Sequence, residues 1–275
     1  MLVTTERPTA RRIAGHAWRS LFQAAGQLAP LFLGSLALLV LINTRSVWLP
    51  GYQAWVSQLP GGPLGLANAL ILTIVEFLGL ILLAPLAVAI HRFVLLGEMC
   101  KNPILFNRTS LRFAALLVLF ELAKLAGALV QLRISTVVGV LYQIGCFIVI
   151  CWTLLVFPSI AVEEKTADGL FRTAAARARG NSWLIARSLL LTVYPLAVVW
   201  VVLLLTYNFS LMALLRSGVP QSLLSCCYVL INNCFKIALI GLGAATASWL
   251  YSYAAPRLAQ PDASFACLSG QGANE

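Results

Sequence analysis

The chain has 275 residues, of which 60% are hydrophobic and only 10% charged, and its mean hydropathy is +0.90. A soluble domain carries about 25% charged residues, so this composition excludes a water-soluble enzyme, a disordered tail protein and a secreted disulfide scaffold. The formal net charge is +10, from 19 Lys and Arg against 9 Asp and Glu. In a soluble chain that excess would point to nucleic acid. Here the bases flank apolar runs and no nucleic-acid-binding signature accompanies them, so the expected partners are anionic membrane lipids and not nucleic acid.

In chain order, the first element is an amphipathic helix over residues 10–23, ARRIAGHAWRSLFQ. Helical spacing puts Ala10, Ile13, Ala14, Ala17, Trp18, Leu21 and Phe22 on one face. Arg11, Arg12, His16, Arg19, Ser20 and Gln23 fall on the other, the pattern of a helix lying in the membrane interface. The apolar run that follows begins only near Leu28, with no small-residue cleavage site after it, and is expected to be a retained anchor. A crossing helix needs about 20 apolar residues. Six stretches supply them, at 28–44, 66–90, 111–131, 135–157, 184–206 and 223–250. In the loop 45–65, Trp48, Tyr52 and Trp55 lie among prolines and glycines and read as an aromatic belt at the headgroup level. Residues 167–179, ADGLFRTAAARAR, repeat the amphipathic theme before the fifth span. Arg172, Arg177 and Arg179 lie mainly away from the apolar face of Leu170, Phe171, Ala174, Ala175 and Ala178, and Gly180-Asn181 breaks that helix. Pro85 and Pro195 are expected to kink spans two and five. The pairs Ala123/Gly127 and Gly241/Ala245 are small-xxx-small spacings that let helices approach closely. The fold class that results is all-α: one six-span bundle over 1–255 with two cytoplasmic interfacial helices, and a disordered cytoplasmic tail over 256–275.

Fourteen of the 19 basic residues fall on the side that holds both termini, and only Arg45, Arg133 and Arg216 on the other. By the positive-inside rule both termini are cytoplasmic. On that side Arg11, Arg12, Arg19, His91, Arg92, Arg172, Arg177 and Arg179 are the expected contacts to lipid headgroups.

Four charges fall inside spans: Glu76 in the second, Glu121 and Lys124 in the third, and Lys236 in the sixth. Each would cost roughly 2.5–3.5 kcal/mol unpaired at a helix centre. At about 1.5 Å per residue they lie within about one helical turn of a common depth, so they are expected to meet. Asn232 and Asn233 lie one turn outward of Lys236, and Gln143 is a further candidate. Such a cluster either holds the spans together or forms a polar site for protons, a small ion or a lipid headgroup.

No nucleotide-binding loop, metalloprotease motif or nucleophile elbow is present, and the longest polar connections, about 25 residues, are too short for a soluble catalytic domain. The seven cysteines show no CxxC and none adjoins a histidine, so no metal is expected. Cofactors are not implied, and the chain reads as non-enzymatic. A homo-oligomer or a membrane-protein partner is compatible with this composition.

The stretch Phe157-Pro158-Ser159-Ile160-Ala161-Val162-Glu163-Glu164, a short basic helix, and then Arg179-Gly180-Asn181-Ser182-Trp183 resembles a bacterial group of six-span membrane proteins. That group is related to the membrane domain attached to some glycerophosphodiester phosphodiesterases. Residues 87–98, AVAIHRFVLLGE, are similar to the end of span two in its uncharacterised proteobacterial members. The resemblance implies a bacterial inner-membrane location and the six-span layout. It implies no activity, since the phosphodiesterase domain is absent and the membrane part has no established catalytic residues. The expected role is that of an integral membrane protein that organises lipid or a partner protein through its basic cytoplasmic collar. The alternative is a small transporter or channel using the intramembrane charges.

Overall fold

The computed structural model describes residues 8–49, 51–58, 66–98, 107–133, 135–162, 169–178 and 181–254. Among these the regular structure is helical throughout: α1 Ala10–Gln27, α2 Ala29–Asn43, α3 Arg45–Trp48, α4 Tyr52–Gln58, α5 Leu66–Leu96, α6 Arg108–Arg133, α7 Thr136–Thr153, α8 Val156–Val162, α9 Leu170–Ala178, α10 Ser182–Arg216 and α11 Gln221–Ala254. Four stretches, Leu70–Leu96, Thr136–Val162, Ser182–Arg216 and Gln221–Ala254, are long and apolar enough to cross a membrane. The pair α1 and α2 meets the same test taken together but is bent by 87°.

The breaks have local causes. α1 is capped by Thr9, whose Oγ1 accepts from the Arg12 amide at 3.3 Å. Pro30 has no N–H to return to Gly26, so the α1 hydrogen-bond ladder cannot continue past Leu28, and Pro30 instead sits in the first turn of α2. That bend leaves α2 with 15 residues, about 22 Å of helix. The same chemistry divides the expected fourth span. Pro158 cannot donate to Leu154, and the ladder changes there to a three-residue step, Phe157 N–H to Leu154 O at 3.3 Å. By contrast α5 and α10 each continue as one helix through Pro85 and Pro195. α10 is longer than expected and closes at Gly218, whose φ of +84° lets Val219 N–H reach Leu214 O at 3.1 Å.

α5 and α11 form the centre. α5 packs on α6, α2 and α8; α11 packs on α5, α10, α1 and α2. The dry core sits toward one end of this pair. It comprises Leu83, Leu86, Ala87 and Ile90 of α5, Ala244, Ala245, Ala247 and Leu250 of α11, and Leu155 and Val156 at the α7–α8 break. α1 lies across that end. Its Ile13, Ala17 and Ala24 are fully buried against α10 and α11, whereas Phe22 is 67% exposed. The expected apolar face is therefore divided: most of it meets protein, and Phe22 faces outward. Beyond the core, toward the α2–α4 corner, packing opens into cavities.

Candidate functional site

The corner where α2 ends is built by side chains closing its last carbonyls. A helix leaves its final C=O groups without intrahelical donors. Here Asn43 Nδ2 donates to Leu39 O at 2.9 Å, Thr44 Oγ1 to Val40 O at 2.7 Å, Trp48 Nε1 to Leu41 O at 2.8 Å, and an Arg45 guanidinium nitrogen to Ile42 O at 3.2 Å. The positive charge of Arg45 also suits the negative end of the helix dipole. Its Nε donates to the Tyr52 hydroxyl at 3.0 Å, and its guanidinium lies 5.3 Å from that ring's centre. Trp48 and Tyr52, expected as belt aromatics, thus have a second role in fixing the helix end.

The central charges converge as their depths implied. Lys236 Nζ of α11 donates to both carboxylate oxygens of Glu76 on α5, at 2.7 and 2.6 Å. On α6, Lys124 Nζ donates to Glu121 Oε2 at 2.7 Å. All four side chains line one cavity of about 370 Å³ between α2, α5, α6, α10 and α11. The rest of its wall is mainly apolar, with Leu39, Leu83, Phe120, Trp200 and Phe235 among the residues present. Trp200 and Phe235 stack with centroids 4.8 Å apart, and Trp200 Nε1 donates to Asn232 Oδ1 at 3.3 Å. A charge pair against such a wall loses hydration, which is offset only by close, multiply bonded contact. The double contact of Lys236 to Glu76 meets that requirement.

A second cavity, of about 380 Å³, lies beside Arg45, Tyr52 and Tyr228. It shares Asn43, Asn232 and Lys236 with the first. The polar surface therefore continues from the Arg45 corner to the ion pairs, while the dry core lies past Leu83 on the other side. Asn43, Arg45 and Trp200 were not singled out from the sequence as site residues. The signal for Asn43 and Arg45 was their place at the end of an apolar run, which reads equally well as ordinary span termination. Gln143 does not line either cavity. It packs instead with Tyr142 over Gly127, where a Cβ would lie 2.5 Å from the Tyr142 ring.

The arginines expected as headgroup contacts, where described, divide into three groups. Arg11, Arg12, Arg19 and Arg172 are exposed. Arg177 is partly covered and its guanidinium sits 5.0 Å from the centre of the Tyr251 ring. Arg92 is engaged internally, paired with Glu98 at 2.8 Å and donating to Ala161 O at 3.3 Å. Arg179 and the Glu163-Glu164 pair lie outside the described residues, as does the tail 256–275.

His91 corrects the expectation outright. It is 1% exposed, and its Nδ1 lies 2.7 Å from Ser248 Oγ. A ring so enclosed meets no lipid phosphate. The reason is that α5 runs on to Leu96, so His91 is an interior position and not the end of a span. His16 is likewise drawn inward, stacked at 4.7 Å on Trp249, whose Nε1 donates to Ser20 Oγ at 3.0 Å. The His91–Ser248 contact is a base beside a hydroxyl that the sequence reading did not find. Ser248 is fully buried and its Oγ donates to Ala244 O at 2.9 Å, and the adjoining cavity is about 130 Å³ with an almost wholly apolar wall. That geometry ties α5 to α11.

No group of three or more His, Cys, Asp or Glu among the described residues is placed to hold a metal ion. No family model, curated protein or solved structure matches the chain. An all-helical fold with four apolar helices of spanning length, or five with the bent pair, is compatible with a multi-pass membrane protein.

Proposed function

We propose that the protein is a non-enzymatic, six-span membrane protein of the transporter or channel type, which takes a small charged solute into the cavity framed by Glu76, Glu121, Lys124 and Lys236. One observation carries this reading: all four intramembrane charges line a single cavity that shares Asn43, Asn232 and Lys236 with a second cavity at the α2–α4 corner. Charges kept only to join helices need contact each other and nothing else. These also border open volume. The dry core on the far side, around Leu83, Leu86 and Ile90, would act as the closed gate of an alternating-access cycle. In this reading the six crossings are the four helices of spanning length, α2 and α6, with α1 lying along the cytoplasmic face. The excess of basic residues on the side of both termini supports a cytoplasmic location for them. The bacterial inner membrane is proposed from the resemblance to six-span proteins related to the phosphodiesterase membrane domain.

Flux in proteoliposomes tests the proposal. Protein-dependent movement of protons, alkali cations, chloride, amino acids or small carboxylates is expected for at least one solute. Glu76→Gln should reduce that flux at least tenfold in protein that still folds. Absence of flux for every solute, with folded protein confirmed in the vesicles, rejects the transport reading.

The exposed bases favour a second reading that is compatible with the first, in which the cytoplasmic collar recruits anionic lipid. Arg11, Arg19 and Arg172 lie on the solvent side of α1 and α9, with the exposed rings of Phe22 and Phe171 beside them. A basic residue near an anionic surface contributes about 1 kcal/mol. The triple change Arg11→Gln, Arg19→Gln, Arg172→Gln is expected to lose most of the thermal stabilisation conferred by phosphatidylglycerol over phosphatidylcholine. An unchanged lipid preference rejects the collar.

A further inference from the structure

We infer that the cavity at the α2–α4 corner is a binding site for a small monocarboxylate, resting on the proposal that the adjoining charged cavity is a solute path. Asn233 of α11 is 2% exposed and lines this cavity, and its Nδ2 has no hydrogen-bond partner. A buried amide N–H without an acceptor is costly and uncommon in a native fold.

The orientation of that amide follows from its neighbour. Asn43 Nδ2 sits 2.9 Å from Leu39 O, a pure acceptor, so this atom of Asn43 must be the nitrogen. The same nitrogen lies 3.2 Å from Asn233 Oδ1, which therefore is the oxygen. What Asn233 leaves without a partner is a donor, enclosed beside the cavity that the residue lines. A ligand completing this site supplies an acceptor.

The surroundings select a negatively charged acceptor. Arg45 and Lys236 line the cavity, and no acidic residue does so among the described residues. The absence extends along the sequence. Between Thr44 and Val75, and again between Thr206 and Phe235, there is no Asp or Glu at all. Lys236 is held by Glu76 from the neighbouring cavity, so Arg45 carries the excess positive charge here, and low-dielectric walls concentrate ions of the opposite sign around it. Val56, Leu72 and Val229 add apolar wall, which favours an organic anion over a bare inorganic one. At about 380 Å³ the cavity falls near the lower end of the range for small-molecule sites. Lys236 gives the position its consequence. It lies at the boundary of both cavities while holding Glu76, so a carboxylate arriving there would compete with Glu76 for the same ammonium.

The test uses the full chain in detergent micelles. Melting temperature is followed against sodium acetate, propionate and lactate at constant ionic strength, with chloride, phosphate and propionamide as further arms. A saturable rise with the carboxylates, absent with the other three, is expected. Asn233→Asp keeps the oxygen that accepts from Asn43 and replaces the free donor with a negative oxygen, so it should weaken carboxylate binding at least tenfold. If that variant fails to fold, Arg45→Gln reads the same site from its rim and should weaken binding similarly. No carboxylate response, an equal response to chloride or phosphate, or unaltered carboxylate affinity in the folded variant overturns the inference. Carboxylate binding without any liposome flux would retain this site and reject the transport reading. Flux of another solute without carboxylate binding would do the reverse.

Discussion

Glu76→Gln and Lys236→Met are each expected to lower the stability of the purified protein by about 2 kcal/mol, and the double change to recover most of that loss. The figure lies between two limits. Breaking a fully buried pair by removing one partner costs about 3–5 kcal/mol, because the remaining charge is left uncompensated. An exposed pair contributes about 0–1 kcal/mol. Here the two side chains are 35% and 40% exposed, bordering the cavities and not bulk water on all sides. The double variant leaves no charge to compensate, which is why recovery is expected. Thermal unfolding of the four proteins in one detergent measures the coupling. Equal stability in all four would show that the pair contributes nothing to the fold. Full recovery of stability with flux still lost in the double variant would separate the structural role of the pair from the proposed role in transport.

The pairing itself was legible because charge in an apolar run is rare and depth along a helix is simple arithmetic. Glu76 and Lys236 are 160 residues apart, yet counting residues from the span ends puts them at similar depth. Lys124 and Glu121 were legible as a local pair three residues apart on one helix. The cavity was not legible, since it depends on where α2 stops and how α10 presents Trp200. His91 was misplaced for a related reason. The polar pair His91-Arg92 reads as the end of a span, but the helix continues to Leu96 and closes at Gly97, and a single hydrogen bond to Ser248 makes the interior position tolerable. Periodicity identified the apolar side of α1 without saying what covers it. Ala10, Ile13, Ala14 and Ala17 suit lipid or a helix equally by hydrophobicity, and only the packing of α1 on α10 and α11 decides for protein. Gly241 was visible in a small-xxx-small pair, but the sequence does not name Leu21 of α1 as the side chain that approaches it.

That approach supplies the sharpest test of where α1 sits. A Cβ built on Gly241 would lie 2.6 Å from Leu21 Cδ1 and 3.5 Å from Ile90 Cδ1. The first distance is shorter than any ordinary carbon contact, so α1 rests on α11 with Leu21 in the space that Gly241 leaves open. Gly241→Leu is therefore expected to overpack this contact and to destabilise the protein by about 1–3 kcal/mol. Adding Leu21→Ala should relieve most of the clash, because the terminal methyls of Leu21 are what the new side chain meets. Leu21→Ala alone is expected to cost about 2–3 kcal/mol, since Leu21 is 6% exposed and the helices cannot fully close the gap. The two single effects should then be strongly non-additive, as for residues in direct contact. An α1 that floated in the membrane interface would give a different result. Gly241→Leu would then be neutral or mildly stabilising, from glycine's poor helix propensity, and the cycle would be additive. Proteolysis within residues 10–27 offers an independent readout: accelerated cleavage in Gly241→Leu, reversed by Leu21→Ala, is expected if the clash detaches α1 from α11.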